Sequence, residues 1–264
     1  MSEESKGLLY IATGERHIKE ALFSAVASRP FAGELPIYCV TDQVDEARSS
    51  AVFDKVFPHS DPVKSYRDKI AGMAVLPFKR TLFLDSDACL TAPVHPLFQV
   101  AEPSDLAAVH APVRIPPGWC DETVPSLFAE INSGVLLWRR SRKQKDLIQH
   151  WLNLYDELLS SYRQTWDQAS LRSVLWFFVQ QRRFRLAVMP AEANFRTTKP
   201  WVAGQGLSVH VLHGRIPTDE REALLHFLNG HVNRFRTWAE WHQRYPDTKL
   251  RLRIGDISPD PGSV

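Results

Sequence analysis

Continuous apolar runs alternate with amphipathic stretches through the first third of the chain. Residues 8–13 form an apolar run with no helical period, ended by Gly14, and predict a strand buried on both faces. Residues 15–28 carry Ile18, Leu22, Ala25 and Val26 at helical spacing and predict a helix that stops before Arg29-Pro30. A second buried strand is predicted over 36–41, closed by Asp42, and a short third over 52–57. Pro62 suits a first helical turn, so a helix is expected from there to about residue 76, with Tyr66, Ile70, Met73 and Ala74 inward. Residues 81–84 give a fourth strand.

The second half is more mixed. Strands are predicted over 106–110, 131–138, 184–188 and 207–212, and helices over 147–159 and 167–179. In the first of these helices Leu147, Trp151, Leu154 and Leu158 share one stripe. The stretch 111–125, rich in proline, reads as a loop. Residues 224–241 are helical in parts, and the tail after Ile254 is expected to fray. No repeat, low-complexity tract or linker is visible. The expectation is one domain over 1–264, with a C-terminal helical extension over about 219–254.

Strand–helix alternation predicts an α/β protein with a mostly parallel sheet flanked by helices. In such sheets ligands sit beyond the C-terminal strand ends. The residues to examine are therefore Thr13-Gly14, Thr41-Asp42 and Asp85-Ser86-Asp87.

Composition narrows the partners. The 264 residues are 44 % apolar and 23 % charged, an ordinary globular mix, and the net charge of +2 provides no general field for nucleic acid. No apolar run approaches a membrane span. The opening Met-Ser-Glu-Glu-Ser-Lys is unlike the cationic start of a signal peptide. Cys39, Cys89 and Cys120 are odd in number and far apart, which suits small buried side chains in a reducing compartment. A cytoplasmic protein, free or peripheral to a membrane, is the expectation.

The strongest chemical signal is Asp85-Ser86-Asp87 directly after Thr-Leu-Phe-Leu. Residues two apart in an extended chain point the same way, so the carboxylates are expected on one side of a strand end. Their repulsion is relieved by a divalent cation, and two carboxylates with substrate phosphates suit Mg²⁺ or Mn²⁺. The plainer alternative is a pair that caps a turn.

This step resembles the D-x-D motif of nucleotide-sugar-dependent glycosyltransferases of the GT-A fold, in particular the retaining glycogenin-like and bacterial galactosyltransferase-like enzymes. Further pieces follow in the family's order. Residues 8–14 resemble its first nucleotide-binding strand. Glu130-Ile-Asn132-Ser-Gly134-Val resembles its Phe-Asn-Ser-Gly-Val strand. Trp166-Asp167-Gln168 resembles its Asp-Gln step, and Val211-Leu-His213-Gly214-Arg215 its late histidine. The resemblance covers roughly residues 7–215.

The resemblance implies a hexosyltransferase that uses a nucleotide-diphosphate sugar, with UDP as the expected nucleotide and the acceptor unidentified. It implies Asp85, Asp87 and His213 as ligands of Mn²⁺ or Mg²⁺. Asp167 and Gln168 fall beneath the anomeric carbon. Thr13, Gly14, Lys69, Asp85, Ser86, Asn132, Gly134, Gly214 and Arg215 fall along the donor. His210 is a rival to His213, which is preferred because Gly214-Arg215 follow it. Asn132 can otherwise be a turn residue, and Thr165 or Asp167 a helix cap. Lys69 can otherwise belong to a solvated helix with Lys64 and Arg67. The glycogenin-like pattern has Gly-x-x-Lys-Pro-Trp a few residues past the histidine. This chain has Gly-Arg-Ile-Pro there, with Lys199-Pro-Trp201 upstream instead. Arg215 is read as the substitute, in a sister family of small GT-A enzymes.

The acceptor pocket is expected between loop 111–125 and segment 190–206, where Trp119 and Trp201 can stack on a sugar. Two other classes remain. One is a phosphatase of the haloacid dehalogenase type with Asp85 as nucleophile and Asp87 as acid/base. It fits poorly, because Cys89 stands where a Thr or Val belongs and the motif is not on the first strand. The other is a nucleotide- or metal-binding module without turnover.

Overall fold

The computed structural model of the chain describes residues 5–113 and 121–252. Trp119, Cys120 and the tail after Ile254 lie outside the described residues. The first half runs β1 (Lys6–Ala12), α1 (Glu15–Ala32), β2 (Ile37–Thr41), α2 (Val44–Ser49), β3 (Lys55–Pro58), α3 (Tyr66–Gly72), β4 (Arg80–Leu84), β5 (Ala88–Leu90), α4 (His95–Ala101) and β6 (Leu106–His110). The second half runs β7 (Ile131–Arg139), α5 (Arg142–Tyr162), α6 (Asp167–Gln181), β8 (Leu186–Met189), β9 (Phe195–Arg196), β10 (Val202–Ala203), β11 (Val211–His213), α7 (Thr218–Asn229), β12 (Arg236–Thr237) and α8 (Trp238–Arg244).

The main sheet has the order β3-β2-β1-β4-β7-β6-β8. Only β7 runs antiparallel to its neighbours, so the expected mostly parallel sheet flanked by helices is present. Its central strands are buried nearly throughout, as continuous apolar runs require. One apolar layer packs Ile18, Ala21 and Ala25 of α1 and Leu97 and Phe98 of α4 against the sheet. The other packs Ile70 of α3, Trp151 and Tyr155 of α5 and Leu171 and Leu175 of α6 against the opposite face.

A second sheet, β5-β11-β9, lies across the end of β4. It brings His213, at the end of β11, opposite Ala88. The sequence does not announce β5 or β9, because each is three residues or fewer and exists only through pairing with β11. For the same reason the strand expected over 207–212 shrinks to Val211–His213. A third apolar cluster gathers Phe195, Trp201, Leu224, Phe227 and Trp241 around the C-terminal helices.

The helical expectations need correction at both α1 and α3. α1 runs on through Pro30 to Ala32. Proline there sits in the last turn and forfeits one bond to the carbonyl of Val26, a residue on the solvent side that water can serve. Val26, expected inward, is thus exposed. α3 begins at Tyr66 rather than Pro62, because Ser65 caps it by accepting the Arg67 N–H, and Tyr66 faces the cavity described below rather than the core. It ends at Gly72 rather than near residue 76, which leaves Ala74, expected inward, exposed.

Candidate active site

Asp85 and Asp87 do not continue β4 as an extended chain. The Ala88 N–H donates to the Asp85 carbonyl at 2.9 Å, which closes a tight turn between β4 and β5. Flanking strands pin this turn: the Asp85 N–H donates to the Gly134 carbonyl at 2.8 Å, and the Gly214 N–H to the Asp87 carbonyl at 3.0 Å. Strand alternation is therefore not the cause of the pairing. A turn fixed between β7 and β11 turns both carboxylates to one side.

His213 completes the group. Its Nε2 lies 3.4 Å from Asp87 Oδ1 and 3.8 Å from Asp85 Oδ2. One ligand atom from each of the three residues falls within 4.8 Å of the others, the only such His/Cys/Asp/Glu cluster among the described residues. His210 lies elsewhere, with its Nδ1 against the Pro93 carbonyl at 2.9 Å. Two carboxylates and an imidazole nitrogen suit Mn²⁺, or Mg²⁺ with more difficulty. The His213 Nδ1 faces Asn194 Oδ1 at 2.9 Å, which leaves Nε2 for the acidic pair.

These groups line a cavity of about 550 Å³. Lys69 on α3 reaches into it. Its Nζ lies 2.7 Å from Asp167 Oδ2 and 3.3 Å from Asp85 Oδ1, and it donates to Ser133 Oγ at 3.0 Å. Burial would lower the Lys69 pKa, but Asp167 and Asp85 outweigh it and hold the ammonium firmly charged. The solvated-helix alternative does not hold for Lys69, which is 8 % exposed. It does describe Arg67, whose guanidinium pairs with Asp156 at 2.8 Å. Burial raises the Asp85 pKa despite Lys69 and His213. Asp87 is half-buried, yet His213 and Arg215 hold its carboxyl below the usual range.

The Asp167-Gln168 step opens α6. Trp166 is the capping residue and makes no side-chain cap, so neither Thr165 nor Asp167 is spent on the helix end. The step is held from below by Trp151, whose indole N–H donates to the Asp167 carbonyl at 2.9 Å. Full burial of that indole contributes about 3 kcal/mol. Asp167 is buried and paired with Lys69; Gln168 lines the cavity, with Oε1 accepting from Asn132 Nδ2 at 2.6 Å and Nε2 donating to Glu130 Oε1 at 2.9 Å.

The remaining expected donor residues divide into lining and support. Thr13, Ser86, Asn132, Gly214 and Arg215 line the cavity with Lys69 and Asp85. The Thr13 hydroxyl donates to Asp68 Oδ2 at 2.7 Å. Gly14 and Gly134 stand outside the lining. Gly14, at φ 82°, starts α1 and donates its N–H to Asp42 Oδ1. Gly134 lies under the acidic cluster. The Arg215 guanidinium is held by Glu20, at 2.6 Å through Nε and 3.1 Å through Nη2.

Several lining residues escaped the sequence reading. Lys199 and Arg196 both face the cavity. The Lys199-Pro-Trp201 run stands in the wrong order relative to His213 along the chain; pairing of β9 beside β11 brings the two together in space. Burial lowers the Arg196 pKa. Trp201 is no stacking platform: it packs edge-on to Phe195, Phe227 and Trp238 in the C-terminal core. The aromatic surface of the cavity is Tyr66 stacked on Trp166 at 5.7 Å.

The main sheet, with one reversed strand, and the Asp turn leading into a small second sheet make this the fold of the GT-A glycosyltransferases. Among solved structures, an active-site mutant of LgtC superposes with a TM-score of 0.54 at 14 % identity, over 83 % of this chain and 94 % of that one. Apo mouse xyloside xylosyltransferase 1 gives 0.50 at 14 % identity, over 81 % and 100 %. The apo glycosyltransferase GlyE of Streptococcus pneumoniae TIGR4 gives 0.51 at 17 % identity, over 74 % of this chain but 47 % of its own, so this chain spans about half of GlyE. At these identities the likeness is one of fold. No protein-family model and no curated protein matches the chain.

Proposed function

We propose that the protein is a metal-dependent glycosyltransferase that moves a hexose from a nucleotide-diphosphate sugar, with UDP as nucleotide, to an acceptor other than nucleic acid, with retention of anomeric configuration. The observation that carries the reading is the convergence of Asp85, Asp87 and the Nε2 of His213 at one point of a lined cavity. Mn²⁺ or Mg²⁺ bound there supplies Lewis-acid charge against the departing diphosphate.

The chain's own residues account for the rest. Lys69 pairs with both Asp85 and Asp167 and holds them in place. Lys199, Arg196 and Arg215 supply positive charge for the diphosphate. Tyr66 and Trp166 offer a flat face to a base or sugar ring. Retention needs a group that shields an oxocarbenium-like carbon while the acceptor enters on the leaving-group side. Asp167 is ion-paired to Lys69, so the position is assigned to Gln168, whose amide oxygen keeps a second lone pair beyond the bond from Asn132. One structural neighbour, the LgtC structure, is an active-site mutant in which a glutamine is exchanged for glutamate, so a glutamine belongs to that enzyme's active site.

Residues 5–113 and 121–252 include no helix long and apolar enough to cross a membrane. The test is a screen of UDP-, GDP- and ADP-sugars for Mn²⁺-dependent donor hydrolysis. Release of UDP from one sugar nucleotide, lost with EDTA, is the expected result. Binding without release would favour the module without turnover, and phosphate release from sugar phosphates alone would favour the phosphatase.

A further inference from the structure

Five side chains join the reacting end of the cavity to its metal end in one unbroken line. Gln168 Nε2 donates to Glu130 Oε1 at 2.9 Å, Asn132 Nδ2 to Gln168 Oε1 at 2.6 Å, Asn194 Nδ2 to Asn132 Oδ1 at 2.7 Å, and His213 Nδ1 meets Asn194 Oδ1 at 2.9 Å. Glu130, Asn132, Gln168 and Asn194 are each no more than 5 % exposed, so water cannot readily substitute for a missing partner.

The direction of each bond is fixed by a group that cannot reverse. A backbone N–H only donates, and the Gly134 N–H meets Asn132 Oδ1 at 3.1 Å. Asn132 must therefore present its oxygen to Asn194 and its nitrogen to Gln168. Once Asn132 is oriented, the Gln168 oxygen faces its Nδ2 and the Gln168 nitrogen is left to donate to Glu130 Oε1. Asn194 follows, offering its own oxygen to His213, which must carry its proton on Nδ1 and leave the Nε2 lone pair toward Asp85 and Asp87.

We propose that Glu130 and Asn194 are positioning residues: with Asn132 as hub, they lock a one-directional relay that fixes the Gln168 amide at one end and the nitrogen His213 offers a cation at the other. The assignment of those two ends rests on the proposed function; the relay itself does not. Asn132, expected along the donor, has its amide oxygen and one amide hydrogen committed inside this relay.

The two arms have separate readouts. Histidine-labelled ¹⁵N protein, metal-free and at a pH where the ring is neutral, should show His213 protonated on Nδ1. In Asn194→Leu the proton should move to Nε2, and Mn²⁺ affinity, followed by electron paramagnetic resonance of free Mn²⁺, should fall about 10-fold. Glu130→Met should leave tautomer and Mn²⁺ affinity alone, because Gly134 still anchors Asn132, but lower kcat about 10-fold at unchanged donor KM by orphaning the Gln168 amide. Glu130→Gln should restore most of that loss, since its Oε1 still accepts. If Glu130→Met does not fold, the Gln168 amide protons of the wild-type protein serve instead, and should exchange slowly with water.

Wild-type His213 protonated on Nε2, an unchanged tautomer in Asn194→Leu, fast exchange at the Gln168 amide, or wild-type turnover in folded Glu130→Met would each overturn the relay. If no sugar nucleotide is turned over, the functional reading fails while the tautomer and exchange measurements still decide this one.

Discussion

The ring of His213 occupies the space that a side chain on residue 134 would need. A Cβ placed on Gly134 would stand 2.2 Å from His213 Cε1 and 2.6 Å from Asp85 Oδ2. The glycine is therefore required by close approach and not by backbone angle. It forms the floor on which the acidic turn and the late histidine meet.

Gly134→Ala should consequently disable the cluster without removing any of its members. The methyl must displace the imidazole or the carboxylate, and overpacking of this kind costs about 1–3 kcal/mol. The expected outcome is a lower midpoint of urea unfolding together with a loss of Mn²⁺ binding by titration calorimetry. Mn²⁺ binding at wild-type strength would show that the cation does not rest on Asp85 and His213.

Asp87→Ala should abolish metal-dependent turnover of UDP-sugar, and His213→Ala should weaken Mn²⁺ more than it weakens the nucleotide. Both follow from the ligand atoms lying within 4.8 Å of one another. Full activity of Asp87→Ala would remove the cation from the acidic turn, and unaltered Mn²⁺ dependence in His213→Ala would remove it from the imidazole.

The elements legible in the sequence are those whose pattern is local. The buried runs of β1, β2, β4 and β7 and the stripe of α5 are stated by residue type alone, and with them the sheet edge that carries Asp85 and Asp87. What stayed hidden depends on partners distant in the chain. β5 and β9 have no identity apart from β11. Lys199 stands on the wrong side of His213 in sequence and on the same side in space. The relay from Glu130 to His213 joins residues 130, 132, 168, 194 and 213, and no spacing rule links an amide to an amide across such separations.

The wall that carries Arg196 and Lys199 hangs on a buried ion pair. Arg236 Nη2 meets Glu192 Oε1 at 3.1 Å, with both side chains at most 1 % exposed, and its other donors go to the carbonyls of Ala203, Leu207 and Leu228. Arg236→Met should destabilise the protein by about 3–5 kcal/mol, because Glu192 is left buried without its counter-ion, with only the Gln205 N–H to bond it. Arg236→Lys should recover little of this, having no planar fork to serve three carbonyls and a carboxylate. Denaturant titration checks both, and a Lys variant at wild-type stability would show that charge alone matters.

Asp105 gives the protein an acid-sensitive joint far from the cavity. Burial opposes its ionisation, but the Arg185 backbone N–H at 3.0 Å and the Arg185 guanidinium outweigh it, and its pKa is lowered from 3.8. A depressed folded pKa means a contribution fully present above the unfolded value and lost as pH falls through the folded one. Asp105→Asn should therefore lower the unfolding midpoint at neutral pH, and the gap to wild type should close progressively below about pH 4. A gap independent of pH would assign the effect to shape rather than charge.

Positive charge on the cavity wall acts most strongly on a diphosphate where solvent screens it least. Arg215, which stands where the glycogenin-like pattern would lead one to look, is bound by Glu20 through two contacts, and that bond raises its pKa while using its donors. Lys199 is 4 % exposed and opens on the same cavity from the segment that follows β9, whereas the Arg215 side chain is 41 % exposed. A charged hydrogen bond of about 1.5–3 kcal/mol corresponds to roughly 10- to 100-fold in affinity. Lys199→Met should therefore raise the donor KM and the Kd for UDP by about 10-fold or more, whereas Arg215→Met should move both by less. Isothermal titration with UDP and Mn²⁺ distinguishes them. The reverse order of effects would return the diphosphate to Arg215 and require Glu20 to release it when the nucleotide binds.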